Sequence, residues 1–217
     1  MPFKDRASKE SESKNIRSSL PFAATRVGEE ENGILFAKYI FTLWKFILAA
    51  VLIFVFAAFN GYFSAQSSPS EMELVLEKLQ EMLEPIVKMS LFSQFLFIIL
   101  NNGLTVFLAI VLGTIFGIFP FFVLFSNGVL LGAIAYFAKT AQSLSVFFAL
   151  TLPHGIIEIP IIILACAVGF RLGKTCFKRQ GSIKTELNDA LVFFLKVLFP
   201  FLVLAAGIEV FITSRLV

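Results

Sequence analysis

The sequence is poor in charged residues, histidine and cysteine, and each shortage excludes a class of protein. Only 15% of the 217 residues are charged, whereas soluble domains carry about 25%, so the chain is not a soluble globular domain. A single histidine, His154, excludes the HExxH zinc motif and every two-histidine metal site. Two cysteines without CxxC spacing provide neither a disulfide framework nor a zinc site. No glycine-rich phosphate-binding motif occurs, and we expect no metal, cofactor or nucleic-acid partner.

The residues that are abundant are apolar, and they are arranged in segments of membrane length. Hydrophobic residues make up 58% of the chain, phenylalanine alone accounts for 28 residues, and the mean hydropathy is +0.87. A helix needs about 20 such residues to cross a bilayer. Apolar segments of this length run near 39–63, 91–112, 119–138, 146–170 and 191–213. The sequence therefore predicts an all-α, polytopic membrane helix bundle with about five transmembrane helices and the lipid bilayer as its surroundings.

The connections between these segments are also predicted. No charged side chain occurs between Met89 and Ala138, which is too long for one crossing, so a short hairpin turn is expected near Gly113, Gly117 and Pro120. Residues 1–33 are charged and serine-rich and predict a flexible cytosolic tail, with the membrane domain at 34–217. The external loop 64–90 predicts an amphipathic helix that begins with a Ser70–Glu73 capping box and ends at Pro85. That helix lies on the bundle or bilayer surface, or it docks a partner.

The basic residues predict the orientation of the chain in a cell membrane. The segments before the first crossing and between the fourth and fifth carry twelve of them: Lys4, Arg6, Lys9, Lys14, Arg17, Arg26, Lys38, Arg171, Lys174, Lys178, Arg179 and Lys184. The opposite side receives four: Lys78, Lys88, Lys139 and Arg215. Because cytoplasmic loops are enriched in lysine and arginine, we expect a cytoplasmic N-terminus and an external C-terminus.

Polar residues within the apolar segments are the candidate functional residues, because ionised groups at membrane depth are costly. We predict that they form one intramembrane cluster, composed of Asn101, Asn102, Asn127, His154, Glu158 and Glu209. Hydrogen bonding between helices, an ion or proton path, and catalysis would all use these residue types. The catalytic alternative, an intramembrane hydrolase, would need a nucleophile such as Ser126 beside His154, but no nucleophile-elbow motif surrounds that serine.

Glycine and proline positions predict how the helices pack. Three glycine pairs have the i, i+4 spacing that allows close helix approach: Gly113 and Gly117, Gly128 and Gly132, and Gly169 and Gly173. Such pairs pack within one bundle or form a dimer seam, and a homodimer is the expected oligomer. Pro153 and Pro160 bracket His154 and Glu158, and we predict a helix kink there.

Several of these elements, taken in order, resemble a known family. They are Asn101 and Asn102, SNGVLLG at 126–132, LPHGIIEIPIII at 152–163, the glycines at 169 and 173, and AAGIEVFIT at 205–213. This series resembles the stage II sporulation protein M family of integral membrane proteins. The positions that carry the resemblance are Asn101, Asn102, Asn127, Gly128, Pro153, His154, Gly155, Glu158 and Glu209.

The resemblance implies a function without catalysis. In endospore formers the family's namesake is similar to a membrane scaffold that recruits cell-wall hydrolases during engulfment, and no family catalytic residue carries over. We therefore expect a noncatalytic membrane component that organises or recruits partner proteins of unspecified identity. The alternative is an ion or small-molecule permease, or the membrane subunit of a transporter, that uses the polar cluster.

Overall fold

The computed structural model describes residues 29–140, 144–178 and 182–211, and these residues are 94% helical with no strand. Their helices are α1 (Glu29–Thr42), α2 (Trp44–Ser67), α3 (Pro69–Val87), α4 (Leu91–Val111), α5 (Ile118–Thr140), α6 (Leu144–Lys178), α7 (Ile183–Phe193) and α8 (Phe199–Phe211). A 3-10 turn, Leu112–Thr114, follows α4, and a π-helical turn, Phe194–Leu198, joins α7 to α8. The predicted all-α fold is confirmed.

Five helical segments of the described chain are long and apolar enough to cross a membrane. They are Trp44–Ser67, Leu91–Thr114, Ile118–Thr140, Ile157–Lys178 and Ile183–Phe211. Many of their large apolar side chains point outward; Phe92 and Leu100, for example, are each 69% exposed. Such a surface suits lipid and not water. The predicted number of crossings is confirmed, and the chain is a membrane protein.

The hairpin between the second and third crossings forms where it was predicted. The 3-10 turn follows α4 directly, and α5 begins at Ile118, which places Pro120 in its first turn. A proline is tolerated there because the first helical N–H groups have no partner within the helix. Gly117 has a φ of +71°, a left-handed conformation that glycine adopts without strain.

The first crossing begins later than predicted. Residues 39–63 were expected to form one helix, but α1 ends at Thr42 and α2 begins at Trp44. At the break, the Leu43 N–H donates to the Ile40 carbonyl at 2.9 Å and the Thr42 hydroxyl donates to the Tyr39 carbonyl at 2.6 Å. These bonds span three residues instead of the four of an α-helix, so the helix is interrupted at Leu43.

The helix predicted for residues 64–90 forms, but its predicted ends are wrong. Ser68, and not Ser70, is the N-cap of α3, and Pro69 takes the first helical position, which proline favours. Ser68 makes no side-chain cap bond, so the predicted capping box does not start the helix. Pro85 lies inside α3, which continues to Val87.

The fourth and fifth crossings also differ from their predicted limits. We expected 146–170 and 191–213, with a basic loop between them. Instead α6 continues to Lys178 and α7 begins at Ile183, capped by the Ser182 hydroxyl. The helix can continue past 170 because lysine and arginine side chains extend toward water while their stems remain in apolar surroundings.

The core is built where these helices contact one another closely. The contact between α2 and α5 is the most extensive of any helix pair in the described chain. On α2, the residues buried there or nearby are mostly small: Ala50, Phe54, Ala57, Gly61 and Ala65. A second apolar cluster joins α1, α4, α6, α7 and α8 around Phe193, Ile110 and Leu172. Helices in lipid associate largely through such close packing.

Candidate functional site

The intramembrane polar cluster in the structure joins three helices. Asn102 of α4 donates a hydrogen bond from Nδ2 to Oε1 of Glu158 on α6, at 2.5 Å. Asn101 donates from Nδ2 to Oδ1 of Asn102 at 3.2 Å. Glu209 of α8 lies within electrostatic range of Glu158. The three helices bring these residues together because each of them packs against the other two.

The remaining predicted cluster members are not joined to this group by any described contact. Asn127 donates from Nδ2 to the Val123 carbonyl of its own helix at 2.7 Å. Ser126 likewise donates to the Phe122 carbonyl at 2.8 Å, as serines in membrane helices often do. The side chains of His154 and Pro153 lie outside the described structure. Helix α6 is continuous through both prolines, and the kink stays a prediction.

The side chains that form this group limit the chemistry that it can perform. Two amides and two carboxyl groups can hold helices together or retain a proton or a monovalent cation. Among the described residues, no three histidine, cysteine, aspartate or glutamate side chains come together as a metal site. Within this group, the bond between Asn102 and Glu158 crosses from helix to helix.

Asn101 differs from the rest of the cluster because it lies on the outer surface of the bundle. Its position is the middle of α4, and its side chain is exposed. Its neighbours on this surface are apolar: Leu100 is 69% exposed and Leu104 is 58% exposed. A polar amide therefore interrupts a lipid-facing surface at the depth where hydrogen-bonding groups are least favourable.

Two of the predicted glycine pairs meet each other. A Cβ on Gly113, in the 3-10 turn after α4, would clash with the backbone of Gly169 on α6, and a Cβ on Gly169 would clash with the Ala109 carbonyl of α4. One turn further along α6, a Cβ on Gly173 would lie 2.7 Å from both the Gly113 carbonyl oxygen and the Gly117 nitrogen. The α4–α5 hairpin is thereby held against α6 within one chain.

The third pair packs against α2. A Cβ on Gly132 would clash with the Ala58 carbonyl, and one on Gly128 would lie 2.7 Å from the Phe54 carbonyl oxygen. Gly61 of α2 makes the reciprocal approach to Val129. Gly61 was missed because it has no glycine partner four residues away, although the buried small residues Ala57 and Ala65 flank it at that spacing. All three pairs thus make contacts inside the chain, and the homodimer stays a prediction.

A second polar group, at one end of the bundle, was also missed. Arg171 of α6 donates from Nη1 to the Thr42 hydroxyl at 2.6 Å and from Nη2 to Oε1 of Glu186 at 2.8 Å. Its guanidinium lies 5.3 Å from the centre of the Tyr39 ring. Burial raises the pKa of the Tyr39 hydroxyl, which therefore stays neutral. We call these residues, together with the buried Asp189, the basic-end group.

The basic-end group connects the two segments that the sequence identified as rich in lysine and arginine. Thr42 and Tyr39 precede the first crossing, Arg171 is near the end of α6, and Glu186 lies in the first turn of α7. The basic ends of α2 and α6 and the start of α7 therefore lie together. Arg171 and Glu186 are 15 residues apart and lie on different helices. Their pairing therefore has no periodic pattern in the sequence that could predict it.

The sequence of this chain is similar to a known protein family and to individual relatives. The family model of stage II sporulation protein M matches residues 49–214. Uncharacterized protein MJ0706 of Methanocaldococcus jannaschii is 32% identical over 183 residues, which are 82% of this chain and 78% of that protein. Uncharacterized protein MJ0793 of the same organism is 34% identical over 128 residues, 54% of this chain and 70% of that protein. No solved structure matches the chain.

Proposed function

The chain belongs to the stage II sporulation protein M family, and from this premise we propose that it is a noncatalytic membrane scaffold that binds a partner protein within the bilayer. The partner contributes a transmembrane helix that packs on the surface of α4 around Asn101. The observation that carries the proposal is the exposure of this amide in the middle of a lipid-facing helix surface.

The physical argument rests on the cost of an amide in lipid. An amide with unused hydrogen-bonding capacity in apolar surroundings costs about 1–3 kcal/mol by protein mutational measures. A partner helix with a polar side chain at the same depth would satisfy that capacity, and interhelical bonds of this kind contribute about 0.6–2 kcal/mol. Leu100 and Leu104, which flank Asn101 and are exposed, would supply the apolar contacts of the same interface.

Two further observations support a scaffold. The Asn102–Glu158 bond and the glycine contacts both hold helix to helix, which is what a rigid platform requires. The resemblance to a namesake that recruits wall hydrolases implies the same class of function.

The twelve-to-four distribution of basic residues favours a cytoplasmic N-terminus and an external C-terminus.

A permease is the second candidate, and one observation favours it. Glu158 and Glu209 lie within electrostatic range of each other at membrane depth, and paired acids in such positions occur in ion and proton paths. Under this alternative the Asn102–Glu158 bond would be part of a binding site and not only a link between helices.

Site-specific photo-cross-linking in native membranes tests the scaffold. A photoreactive amino acid replaces Leu100 or Leu104 beside Asn101, and the control replaces Phe122, which is 62% exposed on α5. We expect one discrete protein adduct from the two α4 positions, none from Phe122, and loss of the adduct when Asn101→Leu is added. Adducts of twice the chain's mass would show a second copy at this surface and would overturn recruitment of a different protein there.

Flux measurements separate the two candidates. The purified chain in liposomes is assayed for proton and monovalent-cation flux, alongside Glu158→Gln. A scaffold gives no flux above protein-free liposomes for either protein. Flux that Glu158→Gln abolishes, with the variant still folded, would reject the scaffold in favour of the permease.

A further inference from the structure

A groove at the basic end of the bundle contains charged groups that the proposed scaffold does not use. It has a volume of about 200 Å³ and is lined by Phe46, Arg171, Lys174, Thr175 and Lys178. Phe46 lies in the first turn of α2, and the other four residues lie in the last two turns of α6. Among the described residues, no acidic side chain lines the groove.

The groove lies at the depth of lipid headgroups. The apolar crossing of α2 begins at Trp44, and that of α6 ends at Lys178. Residues at these ends of membrane-spanning helices lie at the boundary between hydrocarbon and headgroups. This placement holds for either orientation of the chain, because both helix ends are at the same face of the bundle.

The charge of the groove is positive and only partly compensated. The ion pairs seen in the described part of the chain are Lys88–Glu84 and Arg171–Glu186, and neither involves Lys174 or Lys178. Lys174 lies with its ammonium 5.5 Å from the centre of the Phe46 ring, which holds it over the groove. Because Arg171 is paired with Glu186, the positive charges that remain for a ligand are those of Lys174 and Lys178.

The cationic groups are also arranged on one helix face. Residues 171, 174, 175 and 178 follow the i, i+3, i+4, i+7 spacing of neighbours on an α-helix. Arg171 is held in place by Thr42 and Glu186, so the end of the groove nearest the membrane centre is rigid. The Thr175 hydroxyl adds a neutral donor between the cations.

We propose that this groove binds the phosphate of an anionic phospholipid headgroup. Lys174 and Lys178 hold the phosphate by charge, the Thr175 hydroxyl donates a hydrogen bond to it, and the acyl chains lie along the apolar surface below Phe46. Basic pockets between membrane helices are known to bind such headgroups. A soluble phosphate shares this chemistry, but the headgroup depth of the groove favours the lipid.

Lysines near a helix C-terminus also complement the helix dipole without any ligand. That role depends on charge near the end of α6 and not on the identity of the lipid. Lipid selectivity, and its loss when only the groove lysines are changed, is therefore the readout that a purely structural role would not produce.

Native mass spectrometry of the delipidated full chain tests the proposal. Phosphatidylglycerol and phosphatidylcholine with identical acyl chains are titrated separately, and the bound fraction is measured. The test variant is K174Q/K178Q. The matched control is K45Q/K184Q, which removes two exposed lysines from the same end of the bundle but outside the groove lining. K174R/K178R keeps both charges.

We expect the native chain to bind phosphatidylglycerol at least tenfold more tightly than phosphatidylcholine. K174Q/K178Q loses at least tenfold in phosphatidylglycerol affinity, while K45Q/K184Q and K174R/K178R stay within threefold of the native chain. Equal losses in both glutamine variants would show a general charge effect and overturn the site. Displacement of the lipid by an equal concentration of inorganic phosphate would overturn the lipid as its occupant.

Discussion

Replacing Gly132 with alanine tests whether close packing between α2 and α5 holds the bundle together. In the structure a Cβ on Gly132 would clash with the Ala58 carbonyl of α2, and a backbone atom cannot rotate away as a side chain can. Overpacking of this kind costs about 1–3 kcal/mol. Alanine regains about 0.5–1 kcal/mol of helix propensity over glycine, so the expected net loss is about 0–2.5 kcal/mol, with a central value of about 1 kcal/mol.

Gly207→Ala is the matched control. Gly207 lies in α8, and a Cβ there would have no atom of the described residues within 4 Å. The same chemical change should therefore stabilise the protein by about 0.5–1 kcal/mol through helix propensity alone. Two identical substitutions at helix-interior glycines are thus expected to have opposite signs.

The buried thiol of Cys166 provides the assay. Cys166 is fully buried in α6, so it reacts with a thiol-specific fluorophore only when the bundle opens. Cys176 is partly exposed and is changed to serine in every protein compared. At about 2–4 °C per kcal/mol for a chain of this size, the central net loss predicts that Gly132→Ala lowers the melting temperature by about 2–4 °C, and Gly207→Ala should raise it. Equal shifts, or a gain in stability from Gly132→Ala, would refute the packing argument.

Three further substitutions test the polar contacts. Asn102→Ala should cost about 1–3 kcal/mol of unfolding free energy, because it leaves Glu158 without its donor; a double-mutant cycle with Glu158→Ala, which removes the acceptor, should show coupling of about 0.6–2 kcal/mol. Arg171→Lys should destabilise the bundle in the same thermal assay by about 1 kcal/mol or more. A lysine ammonium cannot reproduce the guanidinium geometry that bonds both Thr42 and Glu186. Ser126→Ala should change stability by less than about 0.5 kcal/mol, because its hydroxyl bonds only its own helix in the described structure.

Each of these three predictions would be contradicted by a specific result. Asn101→Ala is the control for Asn102→Ala, since Asn101 is exposed and has no described bond to Glu158; equal losses from the two would remove the special role of the interhelical bond. A melting temperature unchanged by Arg171→Lys would mean that the second hydrogen bond contributes nothing. A hydrolytic activity lost in Ser126→Ala would reinstate the intramembrane hydrolase.

Much of the fold could be predicted because the relevant signals are local. The number of crossings follows from the lengths of the apolar segments, and the hairpin follows from a charge-free run that contains Gly117 and Pro120. The break at Leu43 was not predictable in this way, because no glycine or proline adjoins it. It depends on Thr42 bonding back to Tyr39 and forward to Arg171, a contact between distant parts of the chain.

The sequence predicted which residues are candidates for the site, but not which of them form hydrogen bonds with each other. The residue types and depths of the polar cluster came from the sequence, yet Asn102 bonds Glu158 while Asn127 bonds its own helix. Arg171 and Glu186 had been assigned to a loop, and their pairing appears only when α6 continues past residue 170.

The sequence by itself determined the all-α class, the five crossings, and which small and polar residues lie at membrane depth. The tertiary structure alone decided which helix faces meet: that Gly113 packs on Gly169, that Gly132 packs on Ala58, and that Asn101 faces outward. The reason is physical. In water, the apolar face of a helix identifies the buried side, but in lipid both the buried and the exposed faces are apolar. Sequence periodicity therefore does not reveal the rotation of each helix, which only the packing of backbones and the interhelical hydrogen bonds specify.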